Sequence, residues 1–530
     1  MATYLDFQFY FFLFFVWFVS TLLVRSIANQ RSKSKTTIHH PPSPPALPVI
    51  GHLHLLGSVL SKSFQTLAYR YGPIMRLRIG PSNSSIVVSN ATIAKEMLRN
   101  HELSFVSRPD FGASDFDIYK GSKFVNAEYG IYWRFMKKIC MTELLAGAQL
   151  NRFVDIRKQE MIKFLEILAK CSEEGEACDI GADLMTMTNN VICRMAMSTR
   201  CSSNADESKE IRELVKEILD IAPNFSLGEM LGPLNKFDLF GYGRKLKTML
   251  LQFDRLVEGI MVEHEKKKTD GEKERKDMMD ILLKIYGDET AEVKLTRKDI
   301  KSFLMEIFMA GTETVSVSLK WTLAEVINHP EVFKKLREEI NTVVGPTRLV
   351  EESDIPNLPY LQATVKESLR LHAPAPLVFR KCREDCKISG YNILANDRII
   401  FNLYAIMRDP DSWEDPTAFK PERFLVSSMD NHVHQQQVDI KGSQNVFNYM
   451  PFGSGRRGCP GASLASTVTQ AGIAMAVQCF DFQVKGADKV DMEEGSGLSS
   501  GMAHPLVCYP ITHINPLEFT TSSATVYHEV

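Results

Sequence analysis

One cysteine constrains this chain more than any other residue. Cys459 stands in the run Phe452-Gly453-Ser454-Gly455-Arg456-Arg457-Gly458-Cys459-Pro460-Gly461, directly before an apolar stretch with helical character, residues 462–480. Glycines on both sides let backbone approach a flat ligand and let amide N–H groups point at the sulfur. The helix that follows presents its positive end, so the thiolate, the form that ligates metal, is favoured. A thiolate in this setting can serve as the axial ligand of a haem iron, where it pushes electron density onto the metal and favours O–O cleavage. Arg457 is then placed to neutralise a haem propionate. A structural cysteine in a glycine-rich turn is the competing reading of this run taken alone.

The spacing Phe-x-x-Gly-x-Arg-x-Cys-x-Gly is complete, with Phe452, Gly455, Arg457, Cys459 and Gly461 in place. On these residues the chain resembles the cytochrome P-450 family, the haem-thiolate monooxygenases. The resemblance implies haem b with its iron on Cys459, and Phe452, Arg457 and Gly461 among the residues that hold it.

Composition narrows the alternatives. At 530 residues the length would allow three or four domains of ~150 residues. No composition break divides the chain between Pro48 and Pro516, so one large unit over 49–516 is expected. The formal net charge is −2 and the basic residues are dispersed, which leaves a nucleic-acid partner without electrostatic support. None of the ten cysteines forms a Cys-x-x-Cys pair, and Cys382 and Cys386 have no His/Cys cluster downstream, so zinc is not indicated. Reduced thiols on the cytosolic side fit this usage best.

Residues 7–24 are almost wholly apolar. As a helix they would reach ~27 Å, close to the thickness of a bilayer core. Asp6 precedes them, and Arg25, Arg31, Lys33 and Lys35 follow, which places the amino terminus in the lumen and the rest in the cytosol. A cleaved signal peptide is the alternative, but it would want a basic leader, and this one has none. The prolines of the 25–48 hinge (Pro41, Pro42, Pro44, Pro45 and Pro48) make a stiff spacer. The expectation is a single-pass anchor in the endoplasmic reticulum membrane with the catalytic domain cytosolic. The hinge is typical of microsomal members of the resembled family. Residues 517–530 read as a polar tail, and 429–444 as a surface insertion.

Helical periodicity dominates after Ser63, with long candidates over 242–268, 297–328, 330–344 and 358–371. Short strands are expected over 74–79, 85–88, 386–388 and 398–402. No strand–helix alternation appears, which argues against a doubly wound sheet. The fold class expected is mainly α with a minor β region, and the resembled family has the same architecture.

Ala310-Gly311-Thr312-Glu313-Thr314 lies midway along the longest candidate helix. Glycine inside a helix costs about 1 kcal/mol against alanine and needs a reason. Small residues here would let a flat ring or O2 approach the backbone, and Ala310 is expected in the substrate pocket. Thr314 can bond the carbonyl one turn back and open the helix locally. An acid and a hydroxyl at such an opening suit delivery of the two protons needed before an O–O bond breaks. The segment resembles the oxygen-activation motif of the family, so Glu313 and Thr314 carry over as catalytic acid and hydroxyl. Val315 departs from the usual second hydroxyl, and Ser316 comes one residue late.

Glu367 and Arg370 lie three apart on one helix face, ahead of Pro421-Glu422-Arg423-Phe424. The resemblance implies that Glu367, Arg370 and Arg423 form a buried charge network around the haem pocket. It also implies propionate contacts from Trp133 and Lys137, where lysine replaces the family's usual arginine, and from Arg380. Ordinary solvated bases are the competing reading of Lys137 and Arg380.

The stretches 107–124, 303–314, 373–379 (with Leu377) and 499–503 are expected to meet substrate, and they are mostly apolar. The wording of 132–145, 408–425 and 455–465 is similar to plant members of one clan, which includes flavonoid, isoflavonoid and triterpenoid oxidases. The stretches 285–303 and 500–506 lean toward the triterpenoid side. A lipophilic substrate, O2 and the membrane are therefore expected partners. Electrons from NADPH would come through a separate cytochrome P-450 reductase, since no Gly-x-Gly-x-x-Gly motif is present. Two rivals stand beside the monooxygenase: another haem-thiolate chemistry without O2, and a tethered haem sensor without turnover.

Overall fold

Thr296 and Asp299 open the longest helix with a reciprocal capping box. The Thr296 hydroxyl oxygen accepts the Asp299 N–H (3.1 Å) and the Asp299 carboxylate accepts the Thr296 N–H (2.8 Å). The helix runs over Arg297–Asn328 and stops at His329, where Pro330 begins the next one. At ~1.5 Å per residue it is about 48 Å long, and it is buried along most of its circumference.

The computed structural model describes residues 12–17, 19–20, 39–47, 50–79, 83–109, 116–145, 147–198, 213–215, 217–218, 221, 238, 240–269, 277–425, 447–497 and 499–519. Its longer helices are α1 (Leu60–Tyr71), α2 (Ile131–Ile139), α3 (Val154–Glu174), α4 (Ile180–Met197), α5 (Tyr242–Thr269), α6 (Met278–Tyr286), α7 (Arg297–Asn328), α8 (Pro330–Val343), α9 (Pro359–Leu371) and α10 (Ala462–Cys479). The strands are β1 (Ile74–Ile79), β2 (Asn83–Val88), β3 (Cys178–Asp179), β4 (Leu377–Lys381), β5 (Cys386–Ile388), β6 (Tyr391–Ile393), β7 (Arg398–Asn402), β8 (Phe480–Val484) and β9 (Val507–Thr512).

Helix α7 is the axis of the molecule and packs against α4, α9 and α10. Phe303, Phe308, Leu319 and Trp321 from α7 join Leu184 and Ile192 from α4 among the buried side chains. One sheet has the order β1-β2-β7-β4, with β2 and β7 parallel and the other pairs antiparallel. A second sheet, β3-β9-β8, closes the far side, and β5-β6 is a separate hairpin. The result is mainly helical with a small sheet region, as expected. Strands β3, β4, β6, β8 and β9 were not anticipated. Each is short, and β4 begins directly after Pro376 in a stretch that read only as pocket wall.

Two expectations need correction. Helix α7 runs unbroken through residues 310–314, so the local opening expected there is absent. Cys193 is disulfide-bonded, against the expectation of uniformly reduced thiols, while the other eight described cysteines are free. Sequence spacing carries no information on such a pair, because bonding depends on proximity in space.

Among the described residues no helix is long and apolar enough to cross a membrane. Residues 12–17 and 19–20 are helical and exposed, and the remainder of the 7–24 segment lies outside the described residues. So do the 429–444 insertion and the tail beyond Phe519.

Candidate active site

The cysteine loop is a chain of tight turns. Gly453 donates to the Met450 carbonyl (2.9 Å), Gly458 to Gly455 (2.9 Å), and Cys459 to Phe452 (3.0 Å). Gly455 takes φ of 70° with Glu102 against it: a Cβ there would lie 2.6 Å from Glu102 Oε1. The same carboxylate accepts the Arg456 N–H at 2.6 Å, so Glu102 pins the loop from the opposite wall. Phe452 packs against the main core, and Gly461 caps α10.

Cys459 is accessible to solvent-sized atoms, yet protein surrounds it on most sides, so its sulfur faces a space within the fold. Burial pushes its thiol up from the ordinary value; the Gly461 N–H and the positive charges of Lys137 and Arg108 act in the other direction. A coordinated metal would settle the contest, since it deprotonates the thiol outright. Lys137 reaches the loop directly, with Nζ donating to the Gly458 carbonyl at 2.9 Å.

Three guanidiniums converge beside this sulfur. Arg380 is buried on β4; burial first, then the charges of Arg108 and Arg457, hold its pKa well below the usual value. Burial also brings Arg457 down to about 10, with Arg108 adding to the effect. Arg457 donates to the carbonyls of Val106 (2.8 Å), Val125 (3.3 Å) and Ala127 (2.5 Å), and it lies over the Trp133 ring at 4.4 Å. Arg380 donates to the Phe379 carbonyl at 2.9 Å. The Nε of Arg108 is buried with no hydrogen-bond partner. Among the described residues none of the three forms an ion pair with a carboxylate. Glu306 and Cys459 offset part of the charge of Arg108, and Glu128 part of that of Arg457, but the cluster stays net positive and suits an anionic group. The propionates and the iron of a haem would meet both the charge and the sulfur. Arg108 carried no sequence signal of its own beyond lying in the 107–124 stretch.

The oxygen-side residues sit on α7. Ala310 is exposed midway along an otherwise buried helix, and Glu306, Glu313 and Thr314 are partly exposed, so this face opens onto internal space. The Thr314 hydroxyl donates to the Ala310 carbonyl at 2.6 Å, the bond expected from sequence, without interrupting the helix. Gly311 has a different purpose from the one expected: a Cβ there would stand 2.7 Å from Ile192 Cδ1, so the missing side chain lets α4 approach α7. Thr312 faces α4 as well, through Thr188 and Asn189. Ser316 is wholly buried with an unpartnered hydroxyl, so it does not open onto the face of Thr314. Glu306 was not anticipated. Its carboxylate accepts the N–H groups of Phe124 (2.9 Å) and Val125 (3.0 Å), and burial pushes its pKa up to about 7. Leu377 lines a cleft with Leu60, Phe379, Ser499 and Ser500.

The predicted charge network is assembled. Arg370 donates to both oxygens of Glu367 (2.7 and 2.8 Å), with each side chain fully buried, and Arg423 Nε donates to Glu367 at 3.0 Å. Arg370 also donates to the carbonyls of Met407 (2.9 Å) and Pro416 (2.7 Å), tying α9 to the segment that leads toward the cysteine loop.

A helical fold around a cysteine loop, with an acid and a hydroxyl on the facing helix, defines a haem-thiolate oxygenase. The sequence profile described as "Cytochrome P450" matches residues 41–508, and the chain belongs to that family. It is 43% identical over 507 residues to 3,9-dihydroxypterocarpan 6A-monooxygenase of Glycine max, covering 94% of this chain and 97% of that protein. It is 41% identical over 519 residues to beta-amyrin 24-hydroxylase of Glycine max, covering 97% and 99%. A zebrafish cytochrome P450 solved with progesterone superposes with a TM-score of 0.72 over 85% of this chain and 99% of that one. At 24% identity that likeness supports the fold alone. The chain is a cytochrome P450 monooxygenase of plant specialised metabolism.

Proposed function

We propose that this chain oxidises a lipophilic, pentacyclic triterpenoid at a methyl group, in the manner of friedelin- or amyrin-type oxidation, through to the carboxylic acid where turnover repeats. Its electrons come from NADPH through a separate reductase, and its amino terminus tethers it to the endoplasmic reticulum membrane. The observation that carries the chemistry is the Cys459 sulfur within reach of the Arg108 charge, with Arg380 and Arg457 close enough to Arg108 to feel it.

The haem, when bound, supplies activation of dioxygen. The residues do the rest. Cys459 would ligate the metal, with Gly461 and Lys137 stabilising the loop and its charge. Arg108, Arg380 and Arg457 would hold the propionates, with Trp133 stacked beneath Arg457. Thr314 and Glu313 would hold and pass protons. Ala310 leaves room beside them, and Leu377 forms part of the apolar wall.

The triterpenoid reading is supported by the beta-amyrin 24-hydroxylase relative. A flavonoid or isoflavonoid oxidase is the second reading, favoured by the pterocarpan monooxygenase relative of similar identity. One experiment separates them. The chain is expressed with a plant reductase and supplied with beta-amyrin, friedelin and a pterocarpan, and products are followed by mass spectrometry. Oxygenated triterpenes are expected, and conversion of the pterocarpan alone would overturn the triterpenoid assignment. Dependence of the product on both NADPH and O2 separates monooxygenation from the isomerase and sensor readings.

A further inference from the structure

The Glu313 carboxylate is held from outside its own helix. The hydroxyl of Ser499 donates to Glu313 Oε1 from a segment 186 residues further along the chain. That segment is fixed by bonds that do not involve Glu313. Ser500 N–H donates to the Pro374 carbonyl at 2.9 Å, and the indole N–H of Trp321 donates to the Ser500 carbonyl at 2.6 Å. Gly495 N–H donates to Gly501 at 2.8 Å, closing the loop on itself. Trp321 is fully buried on α7 and stacks on His372 with ring centroids 4.1 Å apart, so it is a rigid post.

Ser499 and Ser500 also line the cleft that contains Leu377 and Phe379. One short segment therefore borders the cleft on one side and grips Glu313 on the other. A competing pull exists: Lys320, further along α7, interacts with the charges of both Asp179 and Glu313. A partly exposed glutamate can turn toward either partner, and a hydrogen bond from a fixed hydroxyl selects one orientation.

We propose that Ser499 is a positioning residue for Glu313: its hydroxyl sets where the carboxylate aims, and so links the wall of the cleft to the group that carries protons. This rests on the reading of Glu313 as the acid. The test uses purified full-length holoenzyme in four forms: wild type, Ser499→Ala, Ser499→Thr and Glu313→Gln, with the Ser499→Ala/Glu313→Gln double variant as control. Two readouts are taken. The first is the infrared carboxylate band identified as Glu313 by its loss in Glu313→Gln, followed against pH. The second is the pH dependence of peroxide released per NADPH consumed, with reductase, NADPH and O2 as the only probes.

Ser499→Ala is expected to move the carboxylate band and to shift the midpoint of the peroxide profile by about one pH unit. Ser499→Thr should restore both, and Ser499→Ala should add nothing in the Glu313→Gln background. If Glu313→Gln changes the profile and Ser499→Ala does not, the positioning role is overturned while the acid assignment stands. If Glu313→Gln itself is silent in the profile, the acid assignment falls and this proposal with it.

Discussion

Arg108 illustrates how a single residue's contribution changes sign with its surroundings. Its Nε is buried and unpartnered; burial lowers its pKa while the charges of Glu306 and Cys459 act in the other direction, and its own charge helps depress Arg380 and Arg457. In the haem-free chain this charge is a liability, and replacing it with an apolar group of similar length should stabilise by roughly 1–4 kcal/mol. Beside a haem propionate, as proposed, the same cation would become an asset. Arg108→Leu is therefore expected to raise the melting temperature of haem-free protein while speeding haem loss from the holoenzyme. A fall in both would show that Arg108 has a partner in the fold itself. Two further substitutions belong to this scale. Cys459→Ser should abolish the thiolate-type band of the reduced carbon monoxide difference spectrum, and a surviving band would refute the axial ligand. Thr314→Ala should divert NADPH consumption from product toward peroxide; tight coupling in that variant would exclude the hydroxyl from proton delivery.

Between elements, close approach and loop pinning decide the geometry. Gly311 is a contact residue of the α4–α7 pair, with Ile192 where its side chain would be. Helix propensity alone would make Gly311→Ala stabilising by about 1 kcal/mol. Overpacking against Ile192 should reverse the sign, costing ~1–3 kcal/mol, and Ile192→Val in the same chain should recover part of it. Chemical denaturation of the two single variants and the double variant measures the coupling. Glu306 performs the comparable service for the segment around Phe124 and Val125. Its pKa is raised from the ordinary value near 4.5 to about 7 by burial. Between those values the unfolded chain has lost the proton while the folded chain keeps it, so stability falls as pH rises through that window. Glu306→Gln cannot titrate. The stability of wild type relative to this variant should decline from pH 4.5 to 7 and then level off, and a flat difference would show that the carboxylate ionises normally.

At the scale of the whole molecule, much of the fold was legible because its strongest signals are local. The capping pair Thr296 and Asp299, the stop at His329-Pro330 and the apolar run of α10 fix helix limits from neighbouring residues. Strands β4, β8 and β9 depend instead on partners far away in sequence, as in the pairing of Arg380 with Ile399 and of Cys178 with Cys508. Their residues carry no alternation long enough to declare itself. The site divides in the same way. Cys459, Glu367 and Arg370 were readable from spacing, whereas Arg108, Glu306 and Ser499 matter only because of what the fold places opposite them. The proposed anchor belongs here too. A chain lacking residues 1–38 should keep its helical circular dichroism and haem and move from the membrane pellet toward the soluble fraction; retention in the pellet would point to a second membrane-binding surface.

The chain by itself singled out Cys459 as the candidate ligand, the long helices near 297–328, 330–343 and 359–371, and the pairing of Glu367 with Arg370, because each follows from residues close together in sequence. Only the tertiary structure decided which charges would be left unpaired beside that sulfur, why Gly311 lacks a side chain, and which hydroxyl holds Glu313. These depend on burial and on contacts across hundreds of residues, and desolvation is a property of a place in the fold, never of a sequence window.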